Sequence, residues 1–87
     1  MLKGKTQSGF DFVIDEVVMD DMELLEDIVK ADKDTMLFPG ILEKILGADQ
    51  KAALYDHLRK NGRVSIKETV EAFTEIMNIA GEETKNS

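Results

Sequence analysis

The chain has no cysteine and no tryptophan, and it contains one histidine and one proline in 87 residues. Without cysteine, disulfides and thiolate metal sites are excluded, and the composition fits a reducing compartment. No apolar run approaches the roughly 18 residues of a transmembrane helix, and the N-terminus lacks the apolar core of a secretory signal. We therefore expect a protein that is neither exported nor held in a membrane.

Positive charge is also scarce, because 11 lysines and arginines stand against 18 acidic residues, which gives a formal charge of −7. The excess is uneven. Ten acids and only two lysines lie between Asp11 and Asp34, so this segment carries −8. Proteins that bind nucleic acid need clustered basic residues to neutralise phosphates, and we expect no nucleic-acid partner. The acids either form a solvated face or attract a basic partner.

Residues that suggest catalysis or metal binding are few. His57 is the only histidine; a nucleophilic site needs a nucleophile, a base and an orienting group that converge, whereas the adjacent Asp56 points in another direction on a helix. The segment Asp32–Glu43 has the length and acidic ends of an EF-hand loop. Met36 and Leu37, however, occupy its fifth and sixth positions, where a ligand and a glycine are required. We expect no catalytic residue, no metal site and no cofactor.

Residues 1–16 have the pattern of a β-hairpin. Phe10, Phe12 and Ile14 recur at every second position, which is the period of a half-buried strand. The Ser8-Gly9 pair is typical of a turn, and the residues before it supply a short partner strand. A two-stranded hairpin is marginal in water, so we expect it to pack on the helices.

Residues 20–81 carry helical spacing in about four segments. Asp20 is a good N-cap for the first, with Glu23 as its reciprocal partner, and the helix continues to about Lys33 after an apolar connector at Val17–Met19. Spacings of three and four predict one buried stripe, formed by Met22, Leu24, Leu25, Ile28 and Val29.

Two shorter helices follow. Pro39 fits the first turn of the second helix, and Gly47 is expected to end it in a left-handed conformation. Asp49 then caps the third helix, which runs to about Lys60. The residues expected to point inward from these two helices are Ile41, Leu42, Ile45, Leu46, Ala53, Leu54 and Leu58.

The last helix has the clearest start. Asn61-Gly62 indicates a turn, and Ser65 with Glu68 three residues later forms a capping box. Gly81 is expected to end the helix, and residues 82–87 are expected to form a disordered polar tail. The apolar stripe of this helix is Ile66, Val70, Phe73, Met77 and Ala80.

These elements predict a mainly α protein (α+β) with a short N-terminal β-hairpin. We expect a single domain over residues 1–81, with the hairpin in 1–16 and the helices in 20–81. The last two helices form a helical hairpin, which also matches the arrangement of a DNA-binding helix-turn-helix. Acidic residues along the last helix oppose contact with phosphates, so packing of the two apolar faces is favoured.

The segment from Leu46 to Gly81 resembles the C-terminal half of tail assembly chaperones from long-tailed bacteriophages, most of all those of phages or prophages of Gram-positive hosts. The N-terminal residues are similar to the opening of the same family, so the resemblance covers most of the chain. The residues that carry it are Leu46-Gly47, Asp49-Gln50, Leu54, His57-Leu58, Asn61-Gly62-Arg63-Val64, Glu68 to Ile76, Gly9 to Asp15 and Asp20 to Val29.

The resemblance implies a binding protein that is not an enzyme. Members of this family bind the tape measure protein in the host cytoplasm, keep it soluble, help recruit major tail (tube) protein and are absent from the mature virion. It also allows for self-association into a homo-oligomer. The alternative from the charge alone is a small acidic regulatory or antitoxin-like protein that neutralises a basic partner.

A partner-binding surface is expected among apolar residues outside the intramolecular core. The connectors before the first and second predicted helices, together with one methionine of the last helix, supply the candidates. These predicted partner-binding residues are Val17, Val18, Met36, Leu37, Phe38 and Met77.

Overall fold

The computed structural model describes the backbone of residues 1–85 and the side chains of residues 1–82. Two strands precede four α-helices in this part of the chain, which confirms the mainly α fold with an N-terminal β-hairpin. The strands are β1 (Leu2–Lys5) and β2 (Asp11–Ile14). The helices are α1 (Glu16–Met19), α2 (Met22–Lys33), α3 (Phe38–Leu58) and α4 (Ile66–Lys85), and a 3-10 turn (Thr35–Leu37) joins α2 to α3.

The hairpin forms as the alternation predicts. The strands β1 and β2 are antiparallel, with Gly4 opposite Phe12. Gly9 adopts a φ of 95° in the turn, a conformation that a glycine reaches without steric cost. The inward residues of the second strand region are buried, and the hairpin packs on α4. The hairpin therefore contributes directly to the core.

The connector between the hairpin and α2 differs from the prediction. Val17–Met19 belongs to α1, a single helical turn that Asp15 caps by accepting a hydrogen bond from the Val17 N–H at 3.2 Å. Asp21, not Asp20, is the N-cap of α2, since its carboxylate accepts from two N–H groups of the first turn. Asp20 instead follows the last residue of α1. Adjacent aspartates compete for one capping position, and sequence spacing does not distinguish them.

The helix α3 combines two segments that the sequence predicted as separate. Gly47 interrupts it with a φ of 83° and a ψ of 161°, so the chain kinks there and then continues as helix. Gln50, in the following turn, donates to the carbonyl oxygens of Leu46 and Val13 at 2.7 Å each. Its Oε1 accepts from the Val13 N–H, also at 2.7 Å. One side chain thus joins the kink to strand β2.

The helix α4 begins as predicted and ends later. The Ser65 hydroxyl oxygen accepts a hydrogen bond from the Glu68 N–H at 3.1 Å, while the Glu68 carboxylate pairs with Lys60 at 3.3 Å and does not complete the capping box. Gly81 keeps a helical backbone, and the helix continues to Lys85. The predicted tail of 82–87 is therefore corrected over residues 82–85, because polar residues such as Glu extend a helix readily; residues 86–87 lie outside the described part.

The core is one cluster drawn from the hairpin and from α2, α3 and α4. Among the described residues, no helix is long and apolar enough to cross a membrane. Ala53, expected to point inward, is exposed. The buried apolar residues are Leu2, Phe10, Phe12, Ile14, Leu24, Ile41, Leu42, Ile45, Leu46, Leu54, Leu58, Ala72, Ile76 and Ala80.

Candidate functional site

The apolar stripe predicted for α2 is largely exposed. Leu24 is buried at 3% exposure, but the neighbouring Leu25 is 51% exposed, and Met22 and Val29 are also exposed. The helix packs on the core through Leu24 and the half-buried Ile28. The apolar residues of α2 therefore span two adjacent faces, and the core covers only one of them. The prediction of a single buried stripe is wrong for the second face.

The helix α4 shows the same division along its length. Ile66, its first residue, is 77% exposed, and Val70 is exposed one turn later. Phe73 and Met77 are half-buried against the core, and Ala80 is fully buried. The predicted stripe of α4 is therefore buried in its C-terminal half and open to solvent in its first two turns.

Val29 of the exposed α2 face and the exposed Ile66 and Val70 of α4 line an open groove of about 890 Å³. Phe38 and Phe73 meet in it edge to face, with ring centroids 5.0 Å apart and planes at 87°, a favourable arrangement for aromatic side chains. The buried Ile41 also belongs to the lining. We call this feature the α2–α4 groove and define its apolar lining as Ile28, Val29, Met36, Phe38, Ile41, Ile66, Val70 and Phe73.

Polar groups in the α2–α4 groove are fewer than apolar ones, and the threonines on the α4 side are already engaged. The Thr69 hydroxyl donates to the Ser65 carbonyl oxygen at 2.7 Å, and the Thr74 hydroxyl donates to that of Val70 at 3.0 Å. The α4 side therefore offers an apolar surface with little free hydrogen-bonding capacity, while Asp32, Lys33 and Thr35 lie on the opposite side. An occupant gains chiefly by removing apolar area from water, about 25 cal/mol per Å².

Charge on α2 is acidic and mostly unpaired. Asp27 pairs with Lys44 at 3.3 Å, whereas Glu23, Glu26 and Asp32 have no cation within ion-pair distance among the described side chains. Asp32 lies in the lining of the groove, and so does Lys33, which has no acid within ion-pair distance among the described side chains. Glu26 is three residues before Val29 and so lies on the same side of the helix. The α2 wall thus combines exposed apolar side chains with unpaired carboxylates in its first half, and with one acid and one lysine where it lines the groove.

The structure divides the six predicted partner-binding residues. Met36 and Phe38 line the α2–α4 groove, and the partly exposed Leu37 lies between them in sequence. Val17 and Val18 are on α1, outside the lining; Val17 is 74% exposed, and Val18 packs against the core. Met77, in α4, also packs against the core and lies outside the groove.

Three exposed groove residues were assigned to the core on sequence grounds: Val29, Ile66 and Val70. The apolar positions of α2 cover a wider arc of the helix than one contact face, which indicates that some of them are exposed. In α2, both Leu24-Leu25 and Ile28-Val29 are apolar pairs, and adjacent helical residues are about 100° apart, so one contact face does not cover both members. The second member of each pair is the exposed one.

His57 has a structural position. Its Nε2 lies 3.1 Å from both the hydroxyl and the carbonyl oxygen of Ser8, and its ring is 5.7 Å from that of Phe10. These contacts hold the turn of the hairpin against α3. Within the described part of the chain, no group of three or more potential ligands is arranged to hold a metal ion.

Compared with known proteins, the chain matches no protein-family model, no curated protein and no solved structure.

Proposed function

We propose that this chain is a tail assembly chaperone of a long-tailed bacteriophage or prophage of a Gram-positive host. It binds the tape measure protein in the host cytoplasm, keeps it soluble and helps recruit tube subunits, and it leaves before the virion is complete. It acts by binding and not by catalysis. This proposal rests on the sequence resemblance, which covers most of the chain, and on one structural observation.

The observation is that an acidic domain exposes connected apolar residues around an open groove. Small soluble proteins rarely expose large contiguous apolar patches unless a partner covers them. Here the exposed residues come from α2, the 3-10 turn and α4, and they converge on the α2–α4 groove. A net charge of −7 opposes aggregation of the chain and of a client bound to it. These properties suit a protein that shields apolar segments of a client.

The direct test is co-expression with the tape measure protein encoded beside this chain's gene. We expect a larger fraction of the tape measure protein in the supernatant after centrifugation than when it is expressed alone. The two proteins are expected to co-purify through a tag on the chaperone. If the soluble fraction of the tape measure protein is unchanged, the proposed function is wrong.

The unpaired carboxylates of α2 support a second candidate, an acidic regulatory protein that neutralises a basic partner. The double variant Glu23→Lys and Glu26→Lys separates the two functions. A regulator of this kind loses its partner when the charges are reversed, because binding depends on them. A chaperone that binds chiefly through apolar area is weakened by the reversal but not inactivated, so the client stays more soluble than when it is expressed alone.

A further inference from the structure

We infer that the α2–α4 groove receives an amphipathic helix of the client. Apolar side chains on one face of this helix enter the groove, and lysine or arginine residues on its flank lie toward Glu23 and Glu26 of α2. The inference rests on the proposed function for the identity of the client, and it adds the binding surface and the chemistry of the bound segment.

The shape of the exposed apolar surface favours a helix. On α2 it extends from Met22 through Leu25 to Val29, a distance of about 10 Å at 1.5 Å per residue, and it continues into the groove. A small molecule held in the groove alone leaves Met22 and Leu25 uncovered. A helix that presents apolar residues at positions i, i+3 or i+4, and i+7 covers both parts with two turns.

Hydrogen bonding also favours a helix over an extended segment. On the α4 side of the groove, the Thr69 and Thr74 hydroxyls already donate to carbonyl oxygens of α4 or the residue before it, and the other α4 residues of the lining are apolar. An extended chain would bury backbone N–H and C=O groups there without partners, at about 1–3 kcal/mol for each group. A helix satisfies these groups internally, so its burial in the groove carries no such cost.

Charge selects against a second copy of this chain as the occupant. Each copy carries −7, and the segment that includes the α2 wall carries −8. Bringing two such segments together at one groove opposes like charges, whereas a client helix with a basic flank gains from the same carboxylates. Glu23 and Glu26 have no ion-pair partner among the described side chains and follow the exposed Met22 along α2, whereas Asp32 in the lining is next to Lys33.

The experiment uses three fluorescent peptides of equal length as probes for the full chain. The first is a helix with leucines on one face and lysines on its flanks. The second has glutamates in place of the lysines, and the third has the composition of the first in an order that leaves no apolar face. Fluorescence anisotropy measures the dissociation constant of each peptide at low and moderate salt concentrations.

Two variants of the chain separate the groove from other exposed apolar surface. Ile66→Glu places a charge in the groove, and Ala53→Glu is its control. Ala53 is an exposed apolar residue of α3 outside the groove lining, so the same acidic side chain is added to a helix away from the groove. Ile66 is 77% exposed in the first turn of α4, where glutamate is favourable, and glutamate is a good helix former at Ala53. Both variants are therefore expected to fold, and thermal melts check that they do.

We expect the basic amphipathic peptide to bind, and the other two peptides to bind at least about tenfold more weakly, which corresponds to about 1.4 kcal/mol. Ile66→Glu is expected to weaken binding of the basic peptide by a similar factor, while Ala53→Glu leaves it unchanged. The inference is overturned if the two substitutions have equal effects. It is also overturned if the third peptide, which has no apolar face, binds as tightly as the first. It is also overturned if sedimentation shows a dimer that Ile66→Glu dissociates and the basic peptide does not compete.

The two proposals fail in distinguishable ways. If wild type and Ile66→Glu solubilise the tape measure protein equally, the proposed function stands and the groove is not its binding surface. If wild type does not change the solubility of the tape measure protein but binds the basic peptide in the groove, the proposed client is wrong. The peptide measurements then still support a helix-binding groove.

Discussion

Gly4 of strand β1 is the position where one added methyl group has the clearest consequence. A Cβ atom at Gly4 would lie 2.6 Å from Cζ of Phe12 and 2.9 Å from Cγ2 of Ile79. Phe12 is the cross-strand partner of Gly4 and is only 2% exposed, so its ring has no free space to move into. We therefore expect Gly4→Ala to separate the hairpin from α4 or to force both side chains from their preferred positions.

The expected cost follows from measured effects of overpacking, about 1–3 kcal/mol. For a domain of this size, each kcal/mol lowers the melting temperature by about 4–8 °C, so Gly4→Ala is expected to lower it by roughly 5–20 °C. Circular dichroism during heating measures this change. Urea unfolding at one fixed temperature gives the corresponding change in the free energy of unfolding without heating the protein.

Gly40 provides the matched control for the same substitution. It lies in α3, and an added Cβ would meet no atom within 4 Å. Because alanine has less freedom in the unfolded chain, Gly40→Ala is expected to stabilise the protein by about 0.4–1 kcal/mol. If Gly4→Ala melts at or above the temperature of the wild type, the close packing of the hairpin on α4 is wrong.

Two further predictions concern neighbouring features of the fold. Leu24→Ala is expected to lower the free energy of unfolding by about 2–5 kcal/mol, whereas Leu25→Ala, at the adjacent exposed position, is expected to change it by at most about 0.5 kcal/mol; similar losses would mean that α2 buries both faces. Gln50→Ala is expected to cost about 1–3 kcal/mol, because the N–H and C=O of Val13 lose their partner. Hydrogen exchange of the Val13 amide should accelerate, and an unchanged rate would contradict the bridge.

Local signals in the sequence were sufficient for much of the fold. The alternation of Phe10, Phe12 and Ile14 predicted the strand and its buried face, and the Asn61-Gly62 turn predicted the chain reversal before α4. Both residues of this turn have positive φ. These features are determined by side-chain period and backbone conformation, which depend on residues close together in the chain.

The groove required information that local patterns do not contain. Periodicity shows that a helix has an apolar face, but it does not show whether another element covers that face. The exposure of Val29 and Ile66 depends on how α2, α3 and α4 are arranged in space. Met36 and Phe38 line the groove and were predicted as partner-binding residues, because they lie in a connector, where apolar residues are unusual. The side-chain bridge of Gln50 to Val13 was also missed, since the two residues are 37 positions apart.

That bridge has a consequence for the kinds of peptide that can pair with the hairpin. A strand at the edge of a small sheet normally offers unpaired N–H and C=O groups, to which an extended peptide can add as a further strand. At Val13 both groups are occupied by the Gln50 amide. The outer edge of β2 is therefore blocked at this point, and an extended peptide cannot add to the sheet there without displacing Gln50. The bridge thereby protects this strand from edge-to-edge association with other chains.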